Sequence, residues 1–528
     1  MLSLPIAAYG WHVWLFRHYI NDDAFITFRY SQMLAQGHGP FFNPGEHVEG
    51  YTSFLLMLML AAFRHMNDDL LTAAKIIGVG SGTLAIVATY LLAYTLAGSA
   101  AKGGGRFIAP LLATGIVAVS PSFAVNSASG LETILYSALI VWGVLLADRS
   151  ELANSWQGSG AVFGAALLAR PDAALVFACF WSSRFVAVLF GARRDVERWK
   201  RLLIDAAIFT AIGLGQLTFR RFEYDGEWLP NTYYAKLGGF DGIGAISYVS
   251  LGLLAPVGGA VAALFACGIA LLTGSDRLRL LHVAIAAIAG GITPFLIGTD
   301  WMLGYRFVVP YLPLLAITVA VGWAKAMQRT SLPLVLRFSI VTVLLSALWL
   351  AQSRDRRDIS DTVELRANGY RSGHLALANW LRSQCEVGEA VALMDIGIVG
   401  YRLPDQTIVD VSGLTDRTIA KSPGAFLHKK YDLSYLLKRK PRFIVLVFTE
   451  PGDPLTIPKT IQLTPATFAD ERIYNDPEFR RAYVASDATS SGNESNWLGA
   501  VAKGLGAQKV FLHTYPGAYY LLAAFERR

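Results

Sequence analysis

The sequence predicts a polytopic α-helical membrane protein with about eleven transmembrane helices and a C-terminal extracytoplasmic α/β domain. Three observations carry this. Of 528 residues, 54% are hydrophobic and only 16% charged, with mean hydropathy +0.41, too apolar for a chain surrounded by water. Apolar runs near the roughly 20 residues needed to cross a bilayer recur through residues 1–351. From residue 352 the composition turns charged and turn-rich, marking a second domain at 352–528.

Taken in order, residues 1–20 are aromatic-rich and lack a small-residue cleavage site, which reads as a short first span rather than a removed signal peptide. Residues 54–63 are apolar over about half a span and lie on, or dip into, the outer surface. Crossings follow at 71–97, 107–125, 134–147, 161–169, 173–190, 202–219, 246–273, 280–298, 308–324 and 338–351, with a break at Arg170, Pro171 and Asp172. Arg193, Arg194, Arg198, Lys200 and Arg201 form the clearest cytoplasmic loop; counting from it places the N-terminus inside and everything after 352 outside. Such loops also account for the net charge of +7, and no basic stretch interleaved with aromatics suggests nucleic acid. Cys179 and Cys267 fall in apolar spans, so the three cysteines imply no disulfide framework. In the C-terminal domain, 374–383 and 431–438 have helical spacing, while 390–394, 407–411 and 442–448 read as buried strands and 486–496 as a polar loop.

On this topology the unusual polar groups gather on the outer side: Asp22, Asp23, Arg29, His38, Glu49, Glu132, Arg170, Asp172, Lys236, Asp300 and Arg306. Outer loops are poor in Lys and Arg, so Lys236 and Arg306, both in aromatic-rich stretches, need another reason to be there. Cations beside adjacent carboxylates suit a substrate that carries an anionic phosphate and a hydroxyl to be activated; a lipid-linked phosphosugar meets both demands. Each residue also has a plainer reading. One carboxylate of the pair suits a helix N-cap, and Asp22 and Arg29, seven apart, share one helix face. Glu49 and Tyr51 suit a turn, Arg170 and Asp172 a buried pair, Lys236 and Arg306 interfacial anchors, and His38 a structural hydrogen bond. No zinc spacing, phosphate loop or serine elbow is present, and two adjacent carboxylates are only weak evidence for a divalent cation such as Mg or Mn.

The ordered set of motifs is recognisable. Residues 21–30 (NDDAFITFRY), 37–39 (GHG), 43–46 (NPGE), 48–52 (VEGYT), 129–133 (SGLET), 170–172 (RPD), 230–236 (PNTYYAK), 300–306 (DWMLGYR) and 410–416 (DVSGLTD) together resemble the GT-C membrane glycosyltransferases, and among them the terminal β-(1→2)-arabinofuranosyltransferase family of mycobacterial cell-wall synthesis. The resemblance implies inverting transfer from a polyprenyl-phosphate sugar, such as arabinofuranose, to an envelope glycan or glycolipid at the outer face of the cytoplasmic membrane. The family's aspartate pair matches Asp22 and Asp23, one of them the base. Lys236, Arg306 and Arg29 are the expected donor-phosphate ligands. His38, Glu49, Tyr51, Glu132, Arg170, Asp172, Tyr233, Asp300 and Trp301 are the expected substrate contacts. Related branches suggest aminoarabinose or mannose transfer to lipid A or protein as the alternative. A lipid-linked sugar flippase ranks below both, because it calls for charges in mid-span.

Overall fold

A computed structural model describes residues 1–98, 103–191, 195–237, 242–257, 274–328, 330–452, 463–485 and 497–528. Cys267, most of the expected 246–273 crossing and the expected 486–496 loop lie outside these residues. Among the described residues seven helices are long and apolar enough to cross a membrane: Leu70–Ala97, Thr133–Leu152, Ala173–Phe190, Val196–Glu223, Arg277–Ile297, Val309–Gln328 and Leu334–Ala351. An eighth crossing exists if Gly105–Val119 and Pro121–Ser127, bent by 65°, form one span. The bend falls where Pro121 removes a backbone donor and Ser120 caps the new helix. Among the described residues this gives seven or eight crossings by length and composition, against the eleven expected. The Ser3–Leu15 and Ser159–Ala169 helices have 13 and 11 residues, about 20 and 17 Å, against a hydrocarbon core of roughly 30 Å. Phe54–Arg64 is a short apolar helix, as its length dictates. Val309–Gln328 is the buried centre of the bundle, whereas Leu334–Ala351 leaves nearly all of its apolar surface facing outward.

The C-terminal region holds a mixed sheet in the order β2-β1-β3-β6-β5, with β4 (Thr464–Pro465) paired to β3. Strands β1 (Ala390–Leu393), β2 (Thr407–Asp410) and β3 (Phe443–Pro451) are parallel, and β6 (Ala518–Glu526) runs antiparallel to β3 and to β5 (Lys509–Tyr515). The first three match the sequence expectation; the β5–β6 hairpin, which turns at Pro516 and Gly517, is an addition to it. Alternate residues of β3 face two cores. Ile444, Leu446 and Phe448 pack with Ile473 and Phe479 on one side. Phe443, Val445 and Val447 share the other core with Leu377, Leu381 and, from the N-terminal segment, Ile26, Tyr30, Phe42 and Tyr51. Residues 21–53 are thus packed as part of the sheet region.

The join is made by two helices lying side by side. Asn21 caps the Asp22–Ala35 helix by accepting from the Asp23 N–H at 3.1 Å. That leaves Asp22 available for a different helix, Ile396–Arg402, whose first amides, Gly397 N–H and Ile398 N–H, donate to it at 2.9 and 2.7 Å. Two turns later Arg29, 0% exposed, donates to carbonyls at the other end of the same helix, those of Gly400 and Leu403 (2.7 Å for the latter), and also to Phe42 O (2.6 Å) and Gln406 O (3.0 Å). A carboxylate at a helix N-terminus and a guanidinium at its C-terminus both complement the dipole. The close approach requires Gly397, because a Cβ there would run into the Asp22 backbone carbonyl. Gly397→Ala is therefore expected to lower the melting temperature of the detergent-solubilised protein, an overpacking cost of about 1–3 kcal/mol. Gly215→Ala, in an open helical position with nothing within 4 Å of a new Cβ, is expected to be neutral or stabilising. Equal melting temperatures for the two variants would contradict this packing.

Candidate active site

The clamp sets the rotation of the Asp22–Ala35 helix, and successive helical residues point about 100° apart. With Asp22 turned into the Ile396–Arg402 helix, Asp23 faces elsewhere. Its carboxylate is half-buried and, among the described residues, has no hydrogen-bond or ion-pair partner. Its leading electrostatic neighbours are the cations Lys236 and Arg306, then the carboxylates Asp300 and Asp395. Burial is the largest influence on Asp23 and pushes it above the ordinary 3.8; Lys236 and Arg306 pull it back only in part.

Lys236 ends the short Asn231–Lys236 helix, which is held in place from both parts of the chain. The Asn231 N–H donates to Glu49 O at 2.9 Å, and its side-chain amide donates to Gly413 O and Leu414 O at 2.8 and 3.0 Å. The 410–416 turn is itself tied together by the buried Asp410, which accepts from Ser412 N–H (2.8 Å) and Thr415 N–H (2.7 Å). The Lys236 ammonium is 5.8 Å from the centre of the Phe426 ring and, among the described residues, has no ion pair or hydrogen bond. The residue is exposed, yet burial of its ammonium, then Arg306, lowers its proton affinity, opposed by Asp23 and Asp300.

Arg306 comes from the 300–306 loop and pairs through Nε with Asp300. Its placement follows from two successive left-handed residues, Gly304 (φ +79°) and Tyr305 (φ +52°). Glycine takes that conformation freely, but for a tyrosine it is strained and must be held by its surroundings. The Asn126 side chain supplies part of that hold, donating to Gly304 O at 2.8 Å. Behind Arg306 lies a satisfied network. Arg170 grips Asp172 at 2.9 and 3.2 Å and reaches Glu132 at 3.4 Å, while Tyr311 donates to Asp172 at 2.9 Å. Glu132 and Arg170 act electrostatically on Arg306, and Glu132 also on Lys236.

The structure thus brings together Asp23, Lys236, Arg306, Asp300, Glu132, Arg170 and Asp172. Tyr233 is exposed on the Lys236 helix, and Trp301 is exposed beside Asp300, its ring 5.2 Å from the Arg366 guanidinium. Four expected substrate ligands lie elsewhere. Arg29 is fully buried and spends its donors mainly on carbonyls, so it leaves the phosphate set. Glu49 is locked by Arg220, with Nη2 to Oε1 at 3.1 Å, and positions the Lys236 helix instead. Tyr51 is buried, with its hydroxyl 2.9 Å from that of Tyr224. His38 is exposed beyond the far end of the Asp22–Ala35 helix, some 20 Å from Asp23 at 1.5 Å per residue. Asp22 is an anchor. Sequence reasoning passed over Asn231, Asn126 and Phe426, which carry no charge and act through backbone or ring contacts. Among the described residues no three His, Cys, Asp or Glu side chains converge as a metal cage.

Beside this cluster an apolar cavity of about 270 Å³ is lined by Val249, Leu253, Ile288 and Leu315. It begins one residue after Tyr248, whose ring is 5.2 Å from that of Tyr305 and whose hydroxyl accepts from the Phe307 N–H at 3.3 Å.

Comparison with known proteins agrees with this architecture. A family model described as a domain of unknown function (DUF8728) matches residues 361–494. The terminal β-(1→2)-arabinofuranosyltransferase of Mycobacterium tuberculosis is 27% identical over 242 residues, which is 43% of this chain and 36% of that protein's length. Among solved structures, ArnT from Cupriavidus metallidurans bound to undecaprenyl phosphate aligns over 84% of this chain and 92% of its own, with TM-score 0.56 and 12% identity; its apo state gives 0.53. The chain is a multi-pass membrane protein with the fold of ArnT, and it spans about a third of the length of the arabinofuranosyltransferase it matches.

Proposed function

We propose that the protein is an inverting glycosyltransferase that moves a sugar from a polyprenyl-phosphate donor to a hydroxyl of a cell-envelope glycan or glycolipid, at the outer face of the cytoplasmic membrane. The observation that carries this reading is the unpartnered Asp23 carboxylate with Lys236 and Arg306 as its foremost charged neighbours. Asp23 accepts the proton of the acceptor hydroxyl. The hydroxyl oxygen attacks the anomeric carbon from the face opposite the phosphate, and the bond from that carbon to the phosphate oxygen breaks. The glycosidic bond therefore forms with inverted configuration, and the phosphate gains a negative charge as it leaves. Lys236, with no protein partner to give up, and Arg306, held in place by Asp300, receive that charge. The apolar cavity beside Tyr248 suits an isoprenoid chain, and the ArnT structure carrying undecaprenyl phosphate supports a lipid-linked donor for this fold. The match to an arabinofuranosyltransferase favours arabinofuranose as the sugar.

Two tests follow. Asp23→Asn is expected to lower turnover about 10²–10⁴-fold with donor affinity kept, whereas Asp22→Asn acts mainly on the melting temperature. Both are measured with purified protein and a panel of polyprenyl-phosphate sugars, with and without chelator. Full activity in Asp23→Asn removes the base from the mechanism. The second test concerns pH. Because the base must be ionised and Asp23 sits above 3.8, activity falls on the acid side at a pH above that value. Lys236 is the charge that most lowers Asp23, so Lys236→Met is expected to move this acid limb of the residual activity to higher pH and to weaken donor binding about ten- to hundredfold. An acid limb that stays put, or moves down, breaks the Asp23–Lys236 coupling.

A further inference from the structure

A second cavity, about 380 Å³, opens where the first turn of the Leu70–Ala97 span meets the sheet region, lined by Asp68, Asp69, Leu71, Arg371, Tyr401 and Arg402. Its carboxylates are committed. Asp68 pairs with Arg64, and Asp69 caps the Leu70–Ala97 helix, accepting from the Thr72 N–H at 3.1 Å and the Thr72 hydroxyl at 2.6 Å. Its cations are not. Arg371 and Arg402 are both exposed, and among the described residues neither has an ion pair. Arg371 donates to the neutral side chain of Asn368 at 3.0 Å, and Arg402, among the described residues, has no hydrogen bond. The two come from separate elements. Arg371 opens a single widened helical turn, Arg371–Leu375, of a kind frequent at functional sites, and Arg402 ends the Ile396–Arg402 helix. The Tyr401 hydroxyl, donating to Asp68 O at 3.3 Å, ties the Arg402 side of the cavity to the membrane side.

We propose that this cavity holds the phosphate of an anionic glycerophospholipid from the surrounding bilayer. Guanidiniums take phosphate oxygens in paired, charge-assisted hydrogen bonds. Two cations without an anion favour a headgroup of net negative charge over a zwitterionic one, whose own ammonium meets the same guanidiniums. A lipid rather than a dissolved phosphate follows from the place. Leu71 begins a membrane-crossing helix, and Ile76, further along it, is 60% exposed. The acyl chains of a headgroup seated here therefore lie along a surface that the bilayer covers in any case. The seated lipid ties the start of that span to the end of the helix clamped by Asp22 and Arg29. The site is separate from Lys236 and Arg306, the cations assigned to the donor, and does not depend on sugar transfer.

The test uses the full-length protein, delipidated in neutral detergent, and follows its melting temperature as phosphatidylglycerol, phosphatidylcholine or glycerol 3-phosphate is added. Phosphatidylglycerol is expected to raise it by about 2–4 °C, and the other two to leave it unchanged. In a variant carrying both Arg371→Gln and Arg402→Gln, the same rise is expected to need about tenfold more phosphatidylglycerol. Both residues are exposed, so this variant keeps its fold, as its melting curve without lipid checks. Arg382→Gln with Lys509→Gln removes the same charge from exposed positions elsewhere in the C-terminal region and is expected to respond as the parent does. Lys236→Met is expected to do the same. An equal rise with phosphatidylcholine, or an unchanged response in the Arg371 and Arg402 variant, overturns the site. A rise with glycerol 3-phosphate overturns the lipid as its occupant. A response lost in Lys236→Met moves the lipid to the donor cations and overturns the proposal.

Discussion

The arrangement depends on one short helix held by charge at both ends. Ile396–Arg402 has seven residues, too few to be stable alone, and most of its terminal polar groups would be unsatisfied if buried. Asp22 takes its amides and Arg29 its carbonyls; Gly397 lets the two backbones come close, and Gly400 leaves room for the Phe42 ring. Removing either charge leaves buried polar groups without partners, which costs more than the bond is worth when made. The same contact fixes which way each member of an adjacent aspartate pair points. The neighbours thus differ in their commitments: Asp22 holds the helix, and Asp23, among the described residues, has no hydrogen-bond or ion-pair partner.

The charged cluster shows a second division of labour, between cations that are paired and Lys236, which among the described residues is not. Arg170 and Arg306 are each matched to a carboxylate, which fixes their guanidiniums and keeps them charged despite burial. Lys236 rests on an aromatic face, a weak partner that holds a cation without neutralising it. The cluster therefore combines a pre-positioned cationic framework with one ammonium that, among the described residues, has no ion pair. Lys236 is held in this way through Asn231, Glu49 and Arg220, which position its helix.

Much of this was legible in the sequence, for reasons that can be stated. Long apolar runs and the Arg193–Arg201 charge cluster announce a membrane protein, and three short apolar runs announce β1, β2 and β3. The hairpin of β5 and β6 was carried by a Pro-Gly turn between apolar runs, a signal that was present and passed over. Counting crossings from the basic loop placed Lys236 and Arg306 on the same side as Asp23, where the charge bias made them unexpected. The different fates of Asp22, Asp23 and Arg29 were not. All three have residue types that suit catalysis, and what separates them is contact with partners some 371–377 positions away. One sequence without its fold holds no record of that distance. Glu49 and Tyr51 misled for the same reason, because a buried ion pair and a buried phenol look like ligands until their partners, Arg220 and Tyr224, are in view.

The core shared between residues 21–53 and the sheet region has a bearing on biosynthesis. At roughly 5–20 residues per second, the N-terminal segment emerges on the order of 20–75 s before the glycine helix that must receive it. During that interval Ile26, Tyr30, Phe42 and Arg29 have no lasting partners, so the segment depends on the translocation machinery or on chaperones for shelter. Truncation late in the chain would leave the start of the protein unfinished, and degradation signals would be exposed at the end made first.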